Sequence, residues 1–298
     1  MNHHFANAGD VMKHLALMSV AAHLRPRRYL ESHAGAFDYA LRDREGPLPD
    51  GVWDFAEKAP SVLALAVSEY GRLIGSLAGS PDAPGTYPGS LRCVWEVLGP
   101  SAEYYANDTD TEAVASLAFE FEARATRGVL AWGDGIDMVI DEARPADLVL
   151  IDPFDPGAQS PHHELTPAQA FDALVDRGTT VLFWRALDLS TGDPDEVGQP
   201  DLSTRLLFDE ATGSMDGCEL LAGNLPPDAA AEVAALATAH GAILTNSRIT
   251  ISARSAPKTH DRHTVAARAE RTWPPSETMF DRHVMVDWSA RSRPPAPD

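Results

Sequence analysis

The chain has 298 residues, enough for one large domain with a sizeable core, and its 44% hydrophobic and 23% charged content excludes a disordered class. Its 24 Lys and Arg stand against 44 Asp and Glu, a formal net charge of −20 that opposes general binding to a phosphate backbone. Cys93 and Cys218 are the only cysteines, so no disulfide framework or thiolate zinc site is indicated, and the expected setting is a reducing cytoplasm.

The first residues, MNHHFANAGD, carry no signal pattern, and no apolar run approaches the roughly 20 residues of a membrane span. DVMKHLALMSVAAHL then places Val11, Leu15, Met18 and Ala22 at helical spacing, which predicts an amphipathic helix over Asp10 to Leu24 with Asp10 as its cap. Arg28 to Ser32 reads as a short strand, and His33-Ala-Gly-Ala as a small-residue turn leaving it. Between residues 43 and 86 two Gly/Pro-rich stretches bracket the helical run SVLALAVSEYGRLIGSL, the pattern of a small helical insertion.

Beyond Ser90, strand and helix patterns alternate. AEYYAND precedes TEAVASLAFEFEAR, GVLAW precedes DGIDMVIDEA, ADLVLID precedes TPAQAFDALVDRG, and TTVLFW precedes a helix expected near Leu202 to Ala211. CELLAG, the helix PPDAAAEVAALATAH, the strand AILTNSRITISA and a last strand in HVMVDW follow, and the tail 290–298 is expected to fray. The expected fold is therefore α/β, a mostly parallel twisted sheet with helices on both faces, in one domain over 1–298. A basic stretch, LRPRR, and the basic residues after Ser255 read as solvated surface.

In such sheets ligands bind beyond the carboxyl ends of the strands, at the point where strand order reverses. Three acids fall there: Asp108 closes YYAND, Asp134 precedes Gly135 after VLAWG, and Asp152 follows LVLI. A carboxylate after a second strand can take both ribose hydroxyls, and one after a third can meet an adenine edge. With the turn at Gly35, the set forms a nucleoside pocket. For each acid alone, turn-making in a loop is the competing role.

These pieces carry a family resemblance. DVMKH (Asp10 to His14), YLESHAGAFDY (Tyr29 to Tyr39), YPGS (Tyr87 to Ser90), Asp108, GDG (Gly133 to Gly135), LVLIDPF (Leu148 to Phe154) and HVMVDW occur in the order found in bacterial large-subunit ribosomal RNA adenine-N6 methyltransferases of the RlmJ type, which the chain resembles over nearly its whole length. The resemblance implies a Rossmann-like methyltransferase fold and S-adenosylmethionine as cofactor. It further implies that His14, His33, Ser90, Asp108, Asp134 and Gly135 contact that cofactor and that Asp152 meets the target amine. No metal is implied, since His3 and His4, His162 and His163, and His260 and His263 show no convergent ligands.

The family's strand ends on Asp-Pro-Pro-Tyr, whose carboxylate and first proline carbonyl accept from the exocyclic amine while the ring stacks on the flipped base. Here Pro153 is kept, but Phe154 and Asp155 follow it, so the ring is displaced or lost and a second acid arrives. If Asp155 joins Asp152 as a catalytic group, the pair should favour a cation or amine between them; if it starts a turn with Pro156-Gly157, it faces solvent. Phe37 also stands where the family has a second glycine.

Three readings follow. The first is a methyltransferase acting on a small-molecule or carrier-bound amine in a biosynthetic pathway. The second is a true ribosomal RNA methyltransferase. The third is a fold retained without methyl transfer, its cofactor site vestigial, working as a different enzyme or as the partner-dependent subunit of a homo- or hetero-oligomer.

Overall fold

The computed structural model describes residues 5–40, 50–77, 85–190, 197–212 and 215–253, together with the backbone of a short strand at 284–287. The tail 290–298, expected to fray, the basic residues after Ser255 and residues 43–49 and 78–84 of the 43–86 stretch lie outside the described residues.

Helix α1 (Ala8–Leu24) leads into strand β1 (Arg28–Glu31) and then the short β2 (Asp38–Ala40). Helices α2 (Val52–Lys58), α3 (Leu63–Ala66) and α4 (Glu69–Leu77) follow, and β3 (Thr86–Pro88), antiparallel to β2, returns the chain to α5 (Ser90–Leu98). Next come β4 (Glu103–Asp108), α6 (Thr111–Ala123), β5 (Arg127–Trp132), α7 (Gly135–Glu142), β6 (Leu148–Ile151), α8 (Pro167–Asp176) and β7 (Thr180–Leu187) in strict alternation. The last part holds β8 (Leu202–Thr212), β9 (Met215–Gly223), α9 (Pro227–Gly241), β10 (Ser247–Ala253) and β11 (Val284–Asp287).

Nine strands form one sheet in the order β10-β8-β9-β7-β6-β1-β4-β5-β11. The five central strands, β7 to β5, run parallel, with Leu30 beside Tyr105 on one side and Val149 on the other. β9 is antiparallel to both β7 and β8, and β10 and β11 add antiparallel edges. Strand order reverses at β1: the chain builds outward through β4 and β5 on one side, then crosses to add β6 and β7 on the other, and this places the ligand crevice at the carboxyl end of β1.

Helices cover both faces. Leu17 and Val20 of α1, Val94 of α5, Phe121 of α6 and Val233 of α9 pack on one face, and Ile136 and Val139 of α7 with Phe171 and Leu174 of α8 on the other. Residues 8–21 of α1 are buried on every side, which corrects the amphipathic expectation. One side of the helix meets the sheet; Val11, Leu15 and Met18 meet Val52, Phe55, Leu65, Tyr70 and Ile74 of the α2 to α4 unit, so residues 8–21 have no solvent face. That unit is fastened elsewhere by the buried Asp50 carboxylate, which accepts from Thr245 N (2.7 Å), Thr245 Oγ1 (2.8 Å) and Asn246 N (2.7 Å).

Two further expectations are corrected. Asn7, not Asp10, caps α1: its side chain accepts from Asp10 N at 3.0 Å, and the Asp10 carboxylate answers by accepting from Asn7 N at 3.3 Å, a reciprocal capping box. The segment from Leu202 is a strand rather than a helix. Leu202, Thr204 and Leu206 alternate inward against β9, the two-residue period of a strand.

Candidate active site

The turn after β1 is tied to both neighbouring strands. Ser32 N donates to Leu150 O (3.1 Å), Ala34 N donates to Asn107 O (2.9 Å), and Asp152 N donates to Ser32 Oγ (3.3 Å). The buried Asn107 amide donates to Ser32 O (3.1 Å) and Gly133 O (3.0 Å), so one side chain stitches the ends of β1, β4 and β5 together. Asn107 was not visible as a site residue in the sequence, because an Asn before an Asp reads as ordinary loop chemistry.

Gly35 adopts a left-handed backbone, φ +61°, and a Cβ there would stand 2.1 Å from the Tyr39 hydroxyl. Its N–H donates to Asp108 Oδ2 at 2.7 Å, while Asp108 Oδ1 accepts from Asp110 N at 2.8 Å. The acid at the end of β4 is thereby aimed across the mouth of the β1 turn. Gly135 opens α7 against the same turn, and a Cβ on it would lie 1.8 Å from Ser32 O. Asp134 caps α7, its Oδ1 accepting from Asp137 N at 2.9 Å.

His33 follows Ser32 in the same turn. Burial lowers its imidazole below the ordinary histidine value, against the opposing pull of the Asp152, Asp108 and Asp134 carboxylates around it. Its Nδ1 pairs with Ser32 Oγ at 2.8 Å.

The Asp152 carboxylate meets a cation from within the protein. Lys13 Nζ donates to Asp152 Oδ2 at 2.7 Å and lies 3.0 Å from Asp10 Oδ1, with the Trp184 ring 5.2 Å away. Burial alone would pull the Lys13 ammonium down, but the two carboxylates outweigh it and hold the group protonated, well above its usual value. Asp10 shifts upward, chiefly through burial. Sequence reading passed over Lys13; the signal was a lysine in an otherwise apolar helix with an acid three residues before it.

Glu31, the last residue of β1, was also missed. It is fully buried, its Oε2 accepts from Tyr29 OH at 2.9 Å, and Ser90 Oγ donates to its Oε1. Burial pushes its carboxyl up to about 8, so it is mostly protonated at neutral pH.

Ser90 is buried and engaged with Glu31, and His14 is buried with Nδ1 2.9 Å from Tyr87 OH and its ring stacked on Tyr87. Burial, then Lys13, lowers the His14 imidazole far below its usual value. The contacts shown for both residues are to partners inside the protein. Asp155 is exposed, and its Oδ1 accepts from Gly157 N at 2.9 Å, the turn-starting arrangement rather than a second acid paired with Asp152. Pro153 is buried, whereas Phe154 stands 83% exposed. Phe37 packs into the core under the Arg124 guanidinium, so its ring leaves the mouth of the β1 turn clear. Among the described residues no cluster of potential metal ligands forms, and no helix is long and apolar enough to cross a membrane.

The five parallel strands, the reversal at β1 and the antiparallel β9 inserted between β7 and β8 define the Rossmann-like methyltransferase fold. Of solved structures, a protein from Legionella pneumophila str. Philadelphia 1 described with the family model DUF519 superposes with a TM-score of 0.70 at 19% identity, over 85% of this chain and 99% of that one, and shares the fold. A putative O-methyltransferase from Klebsiella pneumoniae matches over 75% of this chain and 83% of its own at 13% identity and a TM-score of 0.39. A S-adenosylmethionine-dependent methyltransferase from Clostridium acetobutylicum ATCC 824 matches over 50% and 68% at 16% identity and a TM-score of 0.24. No protein-family model matches the chain, and no curated protein matches it.

The residues around β1 suit S-adenosylmethionine on chemical grounds. Gly35 and Gly135 leave backbone room, and Asp108 and Asp134 bring carboxylates, groups able to accept from ribose hydroxyls or an adenine amine, to the ends of β4 and β5 beside that turn.

Proposed function

We propose that the protein is a S-adenosylmethionine-dependent N-methyltransferase, a diverged member of the RlmJ-type group, acting on an amine of a small or carrier-bound substrate. The observation that carries this reading is that the acids ending β4, β5 and β6 sit beside one turn at the strand-order reversal: Asp108 accepts from Gly35 N, Asp134 caps α7, which opens against Ser32, and Asp152 N donates to Ser32 Oγ. When bound, the cofactor supplies an electrophilic methyl group. Asp108 and Asp134 would hold its nucleoside, with Gly35 and Gly135 giving it backbone room. Asp152, oriented by Lys13 and by its own N–H on Ser32 Oγ, accepts a hydrogen bond from the attacking amine. Lys13 is held protonated by its two acids, so it orients Asp152 and does not take the proton. The net charge of −20 favours a small substrate over ribosomal RNA.

One observation favours RNA adenine as a second reading: the Phe154 ring is exposed directly after Asp152-Pro153 and is free of the core, available to stack on a planar base. Calorimetry with S-adenosylmethionine and S-adenosylhomocysteine, followed by methyl-transfer assays on ribosomal RNA and on a panel of small and carrier-bound amines, tests both. Cofactor binding with transfer to a small amine is expected. Transfer to ribosomal RNA alone would select the second reading, and no binding of either nucleoside would overturn both.

A further inference from the structure

Helix α7 reaches both halves of the crevice. Its first turn is closed by Asp134, whose carboxylate accepts from Asp137 N. The Asp137 carboxylate then acts elsewhere: with no solvent exposure, it accepts two successive backbone amides of the loop that follows Asp152, His162 N to Oδ2 and His163 N to Oδ1, each at 3.2 Å. One turn further along α7, Asp141 Oδ1 meets His163 Nε2 at 2.9 Å.

The loop is folded around this clamp. Buried Ser160 donates its N–H to Leu165 O (3.0 Å) and accepts from Glu164 N at its carbonyl (3.0 Å), and Leu165 packs against the α7 and α8 core. A buried carboxylate is strongly penalised unless hydrogen bonds satisfy it. Both Asp137 oxygens are satisfied by the loop, and the end of α7 is already capped by Asp134, so the Asp137 charge serves the loop rather than its own helix.

We infer that Asp137 is a positioning residue that fastens the loop carrying Pro153 and Phe154 to the helix whose first turn carries Asp134, so that filling the nucleoside half of the crevice stiffens the acceptor half. The inference rests on the proposed assignment of Asp134 to the nucleoside side and of Asp152 to Phe154 to the acceptor side. α7 is the physical link: a ligand that restrains its first turn restrains Asp137, and through two amides restrains residues 156–165.

Hydrogen–deuterium exchange on the full chain, with and without saturating S-adenosylhomocysteine, tests the link. In the wild type, S-adenosylhomocysteine slows exchange over 156–165 by about tenfold or more, beyond its effect at 32–36 and 108–110. In Asp137→Ala, exchange over 156–165 is at least about tenfold faster and the ligand-dependent slowing disappears there, while calorimetry returns a S-adenosylhomocysteine affinity within about threefold of wild type. His163→Ala, which keeps Asp137 and removes only the contact to Asp141, loses part of the slowing, and it carries the test if circular dichroism finds Asp137→Ala unfolded. Slowing confined to the β1, β4 and β5 ends in the wild type, or unchanged slowing over 156–165 in the variant that folds, overturns the link while leaving the nucleoside reading intact. A wild type that binds no S-adenosylhomocysteine overturns that reading and the link with it.

Discussion

Lys13 and Asp152, 139 residues apart in the chain, meet at 2.7 Å at the carboxyl edge of the sheet. The pair joins the first helix to the strand that ends in the candidate catalytic acid. Lys13 also holds Asp10, so one ammonium sits between two carboxylates in a mostly buried site. Removing one partner of a buried ion pair leaves an uncompensated charge and costs about 3 kcal/mol or more. Lys13→Met is therefore expected to lower the free energy of unfolding in urea by about 3 kcal/mol. Adding Asp152→Asn to it should restore part of that loss, because the exposed conflict between Asp10 and Asp152 is then removed. A double variant no more stable than Lys13→Met would show that the pair is not coupled.

Glu31 sets a pH dependence with a definite sign. Its folded carboxyl titrates at about 8, against an ordinary value of 4.5, so folding takes up a proton between those limits. The stability this supplies is complete below pH 4.5, falls as pH rises, and is gone above pH 8. The whole span corresponds to at most on the order of 5 kcal/mol. Glu31→Gln keeps a neutral group able to bond Tyr29 and Ser90, so its stability relative to wild type should rise steadily from pH 5 to 8. Urea midpoints that stay parallel for the two proteins over that range would rule out a protonated Glu31.

Much of this arrangement was legible in the sequence, and the omissions have physical causes. Strand ends announce themselves because a run such as Leu148 to Ile151 cannot continue into Asp152-Pro153, and the order of Asp108, Asp134 and Asp152 followed from that punctuation. Lys13 and Glu31 were missed because a charge inside an apolar stretch reads as the solvent face of an element. Only the packing shows that α1 is covered on both sides and that β1 is central in its sheet. The strand at Leu202 was missed because it lies between a hairpin neighbour, β9, and a partner about 40 residues away, β10, and a period of two over seven residues is a weak local signal. Asp155 could be read either way from sequence, and the turn bond to Gly157 N decides between them.

Gly135 marks the closest approach between α7 and the β1 turn. Because the clash of an added Cβ is with the Ser32 carbonyl, 1.8 Å away, and not with a flexible side chain, the backbone itself must move. Gly135→Ala should therefore separate Asp134 from the turn, weakening S-adenosylhomocysteine binding by at least about tenfold and costing about 1–3 kcal/mol of stability. Gly75, where a Cβ meets nothing within 4 Å, is the matched control: Gly75→Ala, in the interior of α4, should bind as wild type and gain up to about 1 kcal/mol. Equal affinities for the Gly135 variant and the control in calorimetry would remove Gly135 from the pocket.

Phe154 separates a role in recognition from a role in folding. At 83% exposed it contributes little to the core, so Phe154→Ala should change the free energy of unfolding by no more than about 0.5 kcal/mol. Base stacking on an aromatic side chain is worth about 1–3 kcal/mol. If the ring stacks on a planar acceptor, the same variant should raise KM for that acceptor by about tenfold with S-adenosylhomocysteine affinity unchanged. Asp155→Ala, which loses only the turn bond to Gly157 N, should leave both constants within about twofold if its carboxylate is outside the chemistry. A loss of kcat in Asp155→Ala comparable to that in Asp152→Ala would restore the second acid to the reaction, and an unchanged KM in Phe154→Ala would remove the ring from the substrate site.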